Sequence, residues 1–240
     1  MISIAVQGAS GGLGASSLVA AVAVRGAQSG RQVVCVDHVS SGGGLDVVMG
    51  IEQRPGLRWP DLRRARGHID GAELVEALPS RRGVHVLAAD RAHPHPVAGA
   101  AVRAVRDALA DAADLVLHDL PDPAAASWPG AVTGHDLVVL LAGSLPHQVS
   151  AAAARHALLR EVGSPGGADG RTVLVVRGRS TDDAWALAGL LDLPLLAVLR
   201  EDRALPGALA RGAVPGAARG PLRDAADLVL LAALQPAVAA

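Results

Sequence analysis

The chain has 240 residues, half of them apolar, with 22 basic and 23 acidic side chains and a formal net charge of −1. That length suits one α/β core, and the near-balanced charge excludes a protein drawn to nucleic acid or anionic lipid by its overall field. There is no Lys, Tyr or Phe, so every basic residue is Arg and the aromatics are three Trp; no run is long enough to span a bilayer, and Met1-Ile2-Ser3 lacks a signal peptide's basic start, so a cytoplasmic protein is expected.

Strand and helix patterns alternate along the chain, which predicts an α/β fold with a mainly parallel sheet and helices on both faces. Ile2 to Val6 reads as a strand, Gly8 to Gly14 as a glycine-rich turn, and 15–28 as a buried helix. Together they form the opening of a nucleotide-binding domain: glycines let the backbone approach a phosphate, and the N–H groups of the helix start point at it. Strand 32–37 ends on Asp37. The single Cys35 within it reads as a small buried hydrophobe. Gly42-Gly43-Gly44 leads into Leu45–Gly50, and Trp59 within 55–62 fits either a core filler or an interface anchor.

Arg63-Arg64-Ala65-Arg66 reads as a solvated face. Helix 71–78 and strand 84–89 follow. His93-Pro94-His95 reads as a turn, without partners at metal-ligand spacing. Helix 98–112 precedes strand 114–119, which ends on Asp119 before Leu120-Pro121. An acid there is a turn residue or a site residue; because Asp37 also ends a strand, the site is favoured. Strand 137–141, helix 146–162, a flexible connection at 163–167 and strand 172–176 come next, the last closing on Arg177. A helix over 221–234 is expected to pack on the sheet.

Two patterns compete for the first turn. Gly8-x-x-x-Gly12-x-Gly14 with Asp37 resembles the dinucleotide turn of short-chain dehydrogenases, but their Tyr-x-x-x-Lys pair has no counterpart in a chain without Tyr or Lys. The second is the deviant Walker A loop of the MinD/ParA superfamily, Lys-Gly-Gly-x-Gly-Lys-[Ser/Thr]-[Ser/Thr]. Ser10-Gly11-Gly12-Leu13-Gly14-Ala15-Ser16-Ser17 overlays it without a gap, with Ser10 in place of the signature lysine and Ala15 in place of the Walker lysine.

Further segments resemble that superfamily in the right order. The stretch from Asp37 through Gly44–Gly50 is similar to the segment after strand two of MinD, with Val39 where a second acid belongs. Asp119-Leu120-Pro121 resembles its Walker B, and Leu193–Asp202 the late strand and turn of CpaE/TadZ-like proteins, with Arg200 replacing a proline. Gly14-Ala15-Ser16 and Leu57–Leu62 are similar to the septum-site-determining (Ssd) members of that group.

The resemblance implies a P-loop NTPase-like fold of the SIMIBI/MinD type, as one domain over 1–240 without the N-terminal receiver-like domain of many members. It implies ATP or ADP with Mg²⁺, held weakly by Ser10, Gly11, Gly12, Leu13, Gly14, Ala15, Ser16 and Ser17, with Ser16 and Asp119 at the metal. Arg177 and Arg200 would contact phosphate or base, with a surface salt bridge an equal alternative for Arg177, and Asp37 and Asp119 would be the acids of any hydrolysis. With Ser10, Ala15 and Val39 each lacking the needed group, efficient hydrolysis is not expected. The function implied is a dimeric positioning or regulatory factor for Tad/Flp pilus-secretion assembly or septum placement. It would work with a secretion ATPase or division proteins, recruited to the inner membrane face, a pole or the septum. The alternatives are a slow ATP-dependent switch, with Arg177 or Arg200 replacing the lysines, and a ParA-like DNA carrier, which the net charge disfavours.

Overall fold

The computed structural model describes residues 1–39, 43–65, 67–90, 92–93, 97–162 and 171–235. Gly42, Arg66, Pro94, His95 and the connection 163–167, all singled out above, lie outside them. Among the described residues eight strands form one sheet: β1 (Ile2–Gly8), β2 (Val33–Asp37), β3 (Ser80–Arg81), β4 (Val84–Leu87), β5 (Leu115–Asp119), β6 (Leu137–Gly143), β7 (Arg171–Arg177) and β8 (Leu195–Leu199). Their order is β3-β4-β2-β5-β1-β6-β7-β8, parallel throughout except for the short edge strand β3. The mainly parallel sheet expected from the alternating pattern is therefore the one observed.

Nine helices connect and cover the described strands: α1 (Ala15–Gln28), α2 (Gly44–Met49), α3 (Gly71–Ala77), α4 (Gly99–Ala112), α5 (Trp128–Ala131), α6 (Pro146–Glu161), α7 (Thr181–Leu191), α8 (Leu205–Ala210) and α9 (Pro221–Leu234). Side chains alternate across a strand, and the core divides accordingly. Val33, Cys35, Leu115 and Leu117 join the cluster that contains the inner face of α1, whereas Val34, Val36 and Val116 join that of α3 and α4. The central strands are buried on both faces, so they read as unbroken apolar runs.

Helix α9 packs on α1 and on β8, burying Leu222, Ala225, Ala226, Val229 and Leu230, and Asp227 accepts a hydrogen bond from Arg25 at 2.5 Å. Cys35 is fully buried, and burial followed by the charges of Asp119 and Asp37 pushes its thiol well up, as befits an inert core residue. No described helix is long and apolar enough to cross a membrane.

Four helices, α2, α5, α7 and α8, were not foreseen. The six residues of α2 are too few to show a 3.6-residue period. α7 carries an N-terminal signal, since the Ser180 side chain accepts from the Asp183 N–H and two Asp lie in its first turn. Its outward face, however, includes Trp185 and Leu190, which blur the pattern.

Strand order fixes where a ligand can go. β1 lies between β5 and β6, so the chain leaves β5 on one side of β1 and returns on the other. In open α/β sheets the crevice at such a reversal, beyond the carboxyl ends of the strands, is where ligands bind. β1, β5 and β2 end there on Gly8, Asp119 and Asp37.

Candidate functional site

The glycine loop leaves β1 and is tied to β6 by the Ala9 N–H, which donates to the Leu141 carbonyl at 2.9 Å. Gly12 and Gly14 adopt φ of 78° and 95°, a left-handed backbone that suits glycine. Gly14 is the N-cap of α1, and no side chain caps it. The first N–H groups of the helix have no partner within the helix and open on a cleft of about 440 Å³. Residues 10–17 line it together with Val39, Asp119, Asp122 and Arg155. All eight loop positions read from the sequence thus meet in one crevice.

Asp119 lies at the base of this cleft, 2% exposed. The Ser16 hydroxyl hydrogen-bonds its carboxyl, while Oδ2 has no partner among the described residues. Burial, reinforced by the charge of Asp37, pushes it up to about 8 despite the opposing Ser16 bond. A hydroxyl beside a buried carboxyl with an unclaimed oxygen fits the donor set of a hard divalent cation such as Mg²⁺.

Asp37 is paired in register with Asp119 on the neighbouring strand. Its two carboxylate oxygens accept the backbone N–H groups of Val39 at 2.8 Å and Leu45 at 2.7 Å. They thereby fix the start of the segment that follows β2. Trp59 is 4% exposed, and its Nε1 donates to the Asp37 carbonyl at 2.6 Å. Of the two readings of Trp59 the core filler holds, and it also anchors the strand end.

Trp128 acts similarly on the other side. Its Nε1 donates to Gln7 Oε1 at 2.9 Å, and Gln7 Nε2 donates to the Pro121 carbonyl at 3.3 Å. The last residues of β1 are thereby coupled to the segment after Asp119.

Arg177 and Arg200 stand apart from the Asp119 cleft. Arg177 Nη1 donates to the carbonyls of Gly12 at 3.0 Å and Leu13 at 3.1 Å, bracing the loop from the side of β7. Arg200 is exposed and lines a neighbouring cleft of about 250 Å³ with Gly14, Ser17, Arg177 and Asp202. Among the described residues of the Asp119 cleft, the cation is Arg155 of α6, which sequence reasoning missed. Its signal was present. Ala152 and Leu159, the two buried residues of α6, lie three before and four after it, so Arg155 is on the inward stripe.

Three histidines form a buried cluster behind the site. His38 Nε2 and His118 Nδ1 are 3.0 Å apart, and the rings of His118 and His135 lie 4.5 Å apart. The Ser3 hydroxyl pairs with His135 Nδ1 at 2.8 Å, and His135 Nε2 donates to the Ala131 carbonyl at 2.7 Å. Burial lowers all three, His38 to about 3 and His135 to about 4, so they are neutral at physiological pH. His93 Nδ1 pairs with Asp90 at 2.8 Å, and among the described residues no group of His, Cys, Asp and Glu has the arrangement of a metal site.

No protein-family model matches the chain. It is 34% identical over 229 residues to uncharacterized proteins from two strains of Mycobacterium tuberculosis, a match covering 95% of this chain and 62% of theirs, so the chain spans about three fifths of those relatives. Among solved structures, a ParA family ATPase from Chlorobium tepidum superposes with a TM-score of 0.78 at 17% identity, covering 97% of this chain and 98% of that one. The septum site-determining protein MinD from Pyrococcus horikoshii, complexed with Mg-ADP, does so at 0.75 and 20% identity, covering 95% and 94%. The chain has the α/β fold of the MinD/ParA-type P-loop ATPases.

Proposed function

We propose that this chain is a positioning or regulatory factor built on the MinD/ParA fold, with a nucleotide site that serves docking rather than turnover. The observation that carries the reading is the lining of the cleft. Backbone cradle, Ser16 hydroxyl and Asp119 are all in place, but Ser10 and Ala15 stand at the two positions where the superfamily pattern has lysine. Val39 lines the same cleft where the pattern has a second acid. In this reading the loop N–H groups hold the phosphates of ATP or ADP, and Ser16 and Asp119 hold Mg²⁺. The bound metal would supply the positive charge that Asp119 Oδ2 otherwise lacks. Losing two charge-assisted contacts weakens phosphate binding by one to a few orders of magnitude.

The finer assignment follows the sequence resemblance: a CpaE/TadZ-like, Ssd-like homodimer that acts with a Tad/Flp-type secretion ATPase or with division proteins. Such partners would bring it to the inner membrane face, a pole or the septum. The purified protein is expected to show no Mg²⁺-dependent ATP turnover. Turnover comparable with active MinD/ParA ATPases, abolished by Asp119→Ala, would refute the reading.

A second reading, a slow ATP-dependent switch, gains from Arg155, which returns one cation to the cleft. It requires saturable binding with a preference between ATP and ADP, which calorimetric titration of each resolves.

A further inference from the structure

Arg155 is placed unlike a surface arginine. It lies on the inward stripe of α6, its side chain is only 15% exposed, and it lines the cleft formed by the glycine loop and Asp119. Burying a guanidinium costs free energy unless its donors are matched. Arg155 has five N–H donors, yet its hydrogen bond among the described residues is a single one, from Nη2 to Asp122 Oδ2 at 3.1 Å. Asp122 is itself a poor permanent partner. Its side chain is 68% exposed at the cleft rim, and its other oxygen accepts the Ala124 N–H at 2.9 Å. An inward cation held by one bond to an outward carboxylate faces the uncapped N-terminus of the fourteen-residue helix α1. Both features favour an anion in the space between them.

We propose that Arg155 is the phosphate-binding cation of this cleft, contacting the polyphosphate of its ligand from α6, and that Asp122 holds the guanidinium aside until that ligand enters. This deepens the nucleotide-site reading above and rests on it for the identity of the ligand. It makes the two charged residues opposites: Arg155 promotes binding, whereas Asp122 competes with the incoming phosphate for the same donors.

The test is calorimetric titration of the full chain with Mg-ATP, Mg-ADP and magnesium pyrophosphate, on the native protein and on Arg155→Gln, Arg155→Lys and Asp122→Asn. Arg155→Gln should weaken every probe that binds by about tenfold to a hundredfold. Arg155→Lys should recover part of the loss, since an ammonium is a point charge without the guanidinium fork. Asp122→Asn should tighten binding by severalfold. Pyrophosphate binding that depends on Arg155, without nucleotide binding, would support Arg155 and remove the nucleotide reading. Nucleotide binding unchanged in Arg155→Gln would overturn the inference while leaving that reading in place. If none of the probes binds the native chain at millimolar concentration, both fall. Should Arg155→Gln fail to fold, as judged by circular dichroism, Asp122→Asn decides alone: unchanged affinity overturns the competition between the two residues.

Discussion

Burial and the neighbouring Asp37 charge push Asp119 up to about 8 from an ordinary value near 3.8. The folded chain therefore binds a proton that the unfolded chain releases, over the whole interval between those values. A group whose folded value is raised contributes stability that is complete below the unfolded value and lost as pH rises through the folded one. At pH 8 Asp119 is thus a cost to the fold, retained at the base of the cleft beside Ser16. Asp119→Asn keeps the shape and can still accept from Ser16 but carries no charge. It is expected to be more stable than the native chain at pH 8 by on the order of 5 kcal/mol, with the gap closing toward pH 4. Thermal melts of both proteins at pH 8 and pH 5 measure this; a gap that widens on acidification would contradict it. Asp37 presents the contrasting case, its oxygens occupied with the N–H groups of Val39 and Leu45. Sequence order marked both acids as strand-ending. It did not distinguish the one that braces a loop from the one with an oxygen to spare, because that depends on where the following segment folds back.

At the scale of elements, the Asp119 cleft is held open by segments that carry no chemistry of their own. The short 3-10 turn Trp59–Leu62 seats Trp59 under the end of β2, where its indole N–H meets the Asp37 carbonyl. Trp59→Phe preserves most of the apolar contact but removes that hydrogen bond. A loss of about 0.5–1.5 kcal/mol is expected, with faster hydrogen exchange at the Val39 and Leu45 amides, whose acceptor is the Asp37 side chain. Unchanged exchange at those two amides would mean that Trp59 acts by packing alone. The strands and longer helices were legible from apolar runs and helical spacing because both faces of the sheet are covered. What the pattern could not carry was pairing between distant elements. That Asp37 and Asp119 are register neighbours, and that α6 brings Arg155 to the loop after β1, follow from the strand order. The inward position of Arg155 was readable from its spacing to Ala152 and Leu159; its destination was not.

For the molecule as a whole, two sets of buried titratable groups pull stability in opposite directions. Asp119 favours acid, as argued above. His38, His118 and His135 favour base, because burial lowers their folded values, to about 3 for His38 and about 4 for His135, below an unfolded value near 6.5. Their contribution is complete above about 6.5 and is lost as pH falls toward those folded values. Charges facing the cluster reinforce this: Arg106 of α4 opposes protonation of both His118 and His135, His135 opposes that of His38 and His118, and His38 that of His118, while the hydrogen bond to Ala131 and the charge of Asp136 act the other way on His135. Between pH 8 and about 6.5 only the Asp119 limb operates, so stability rises as pH falls. Below about 6.5 three histidines outweigh one carboxyl and the slope reverses, His135 alone accounting for on the order of 3 kcal/mol by pH 4. A maximum close to pH 6.5 is therefore expected in urea midpoints measured from pH 4.5 to pH 8.5. The two limbs can be removed separately. Asp119→Asn should flatten the alkaline side and leave the acid side, whereas His135→Gln, which retains groups to pair with Ser3 and Ala131, should make the acid side shallower. A midpoint that climbs steadily from pH 6 to pH 8.5 in the native chain would show that Asp119 is charged at little cost in the folded state.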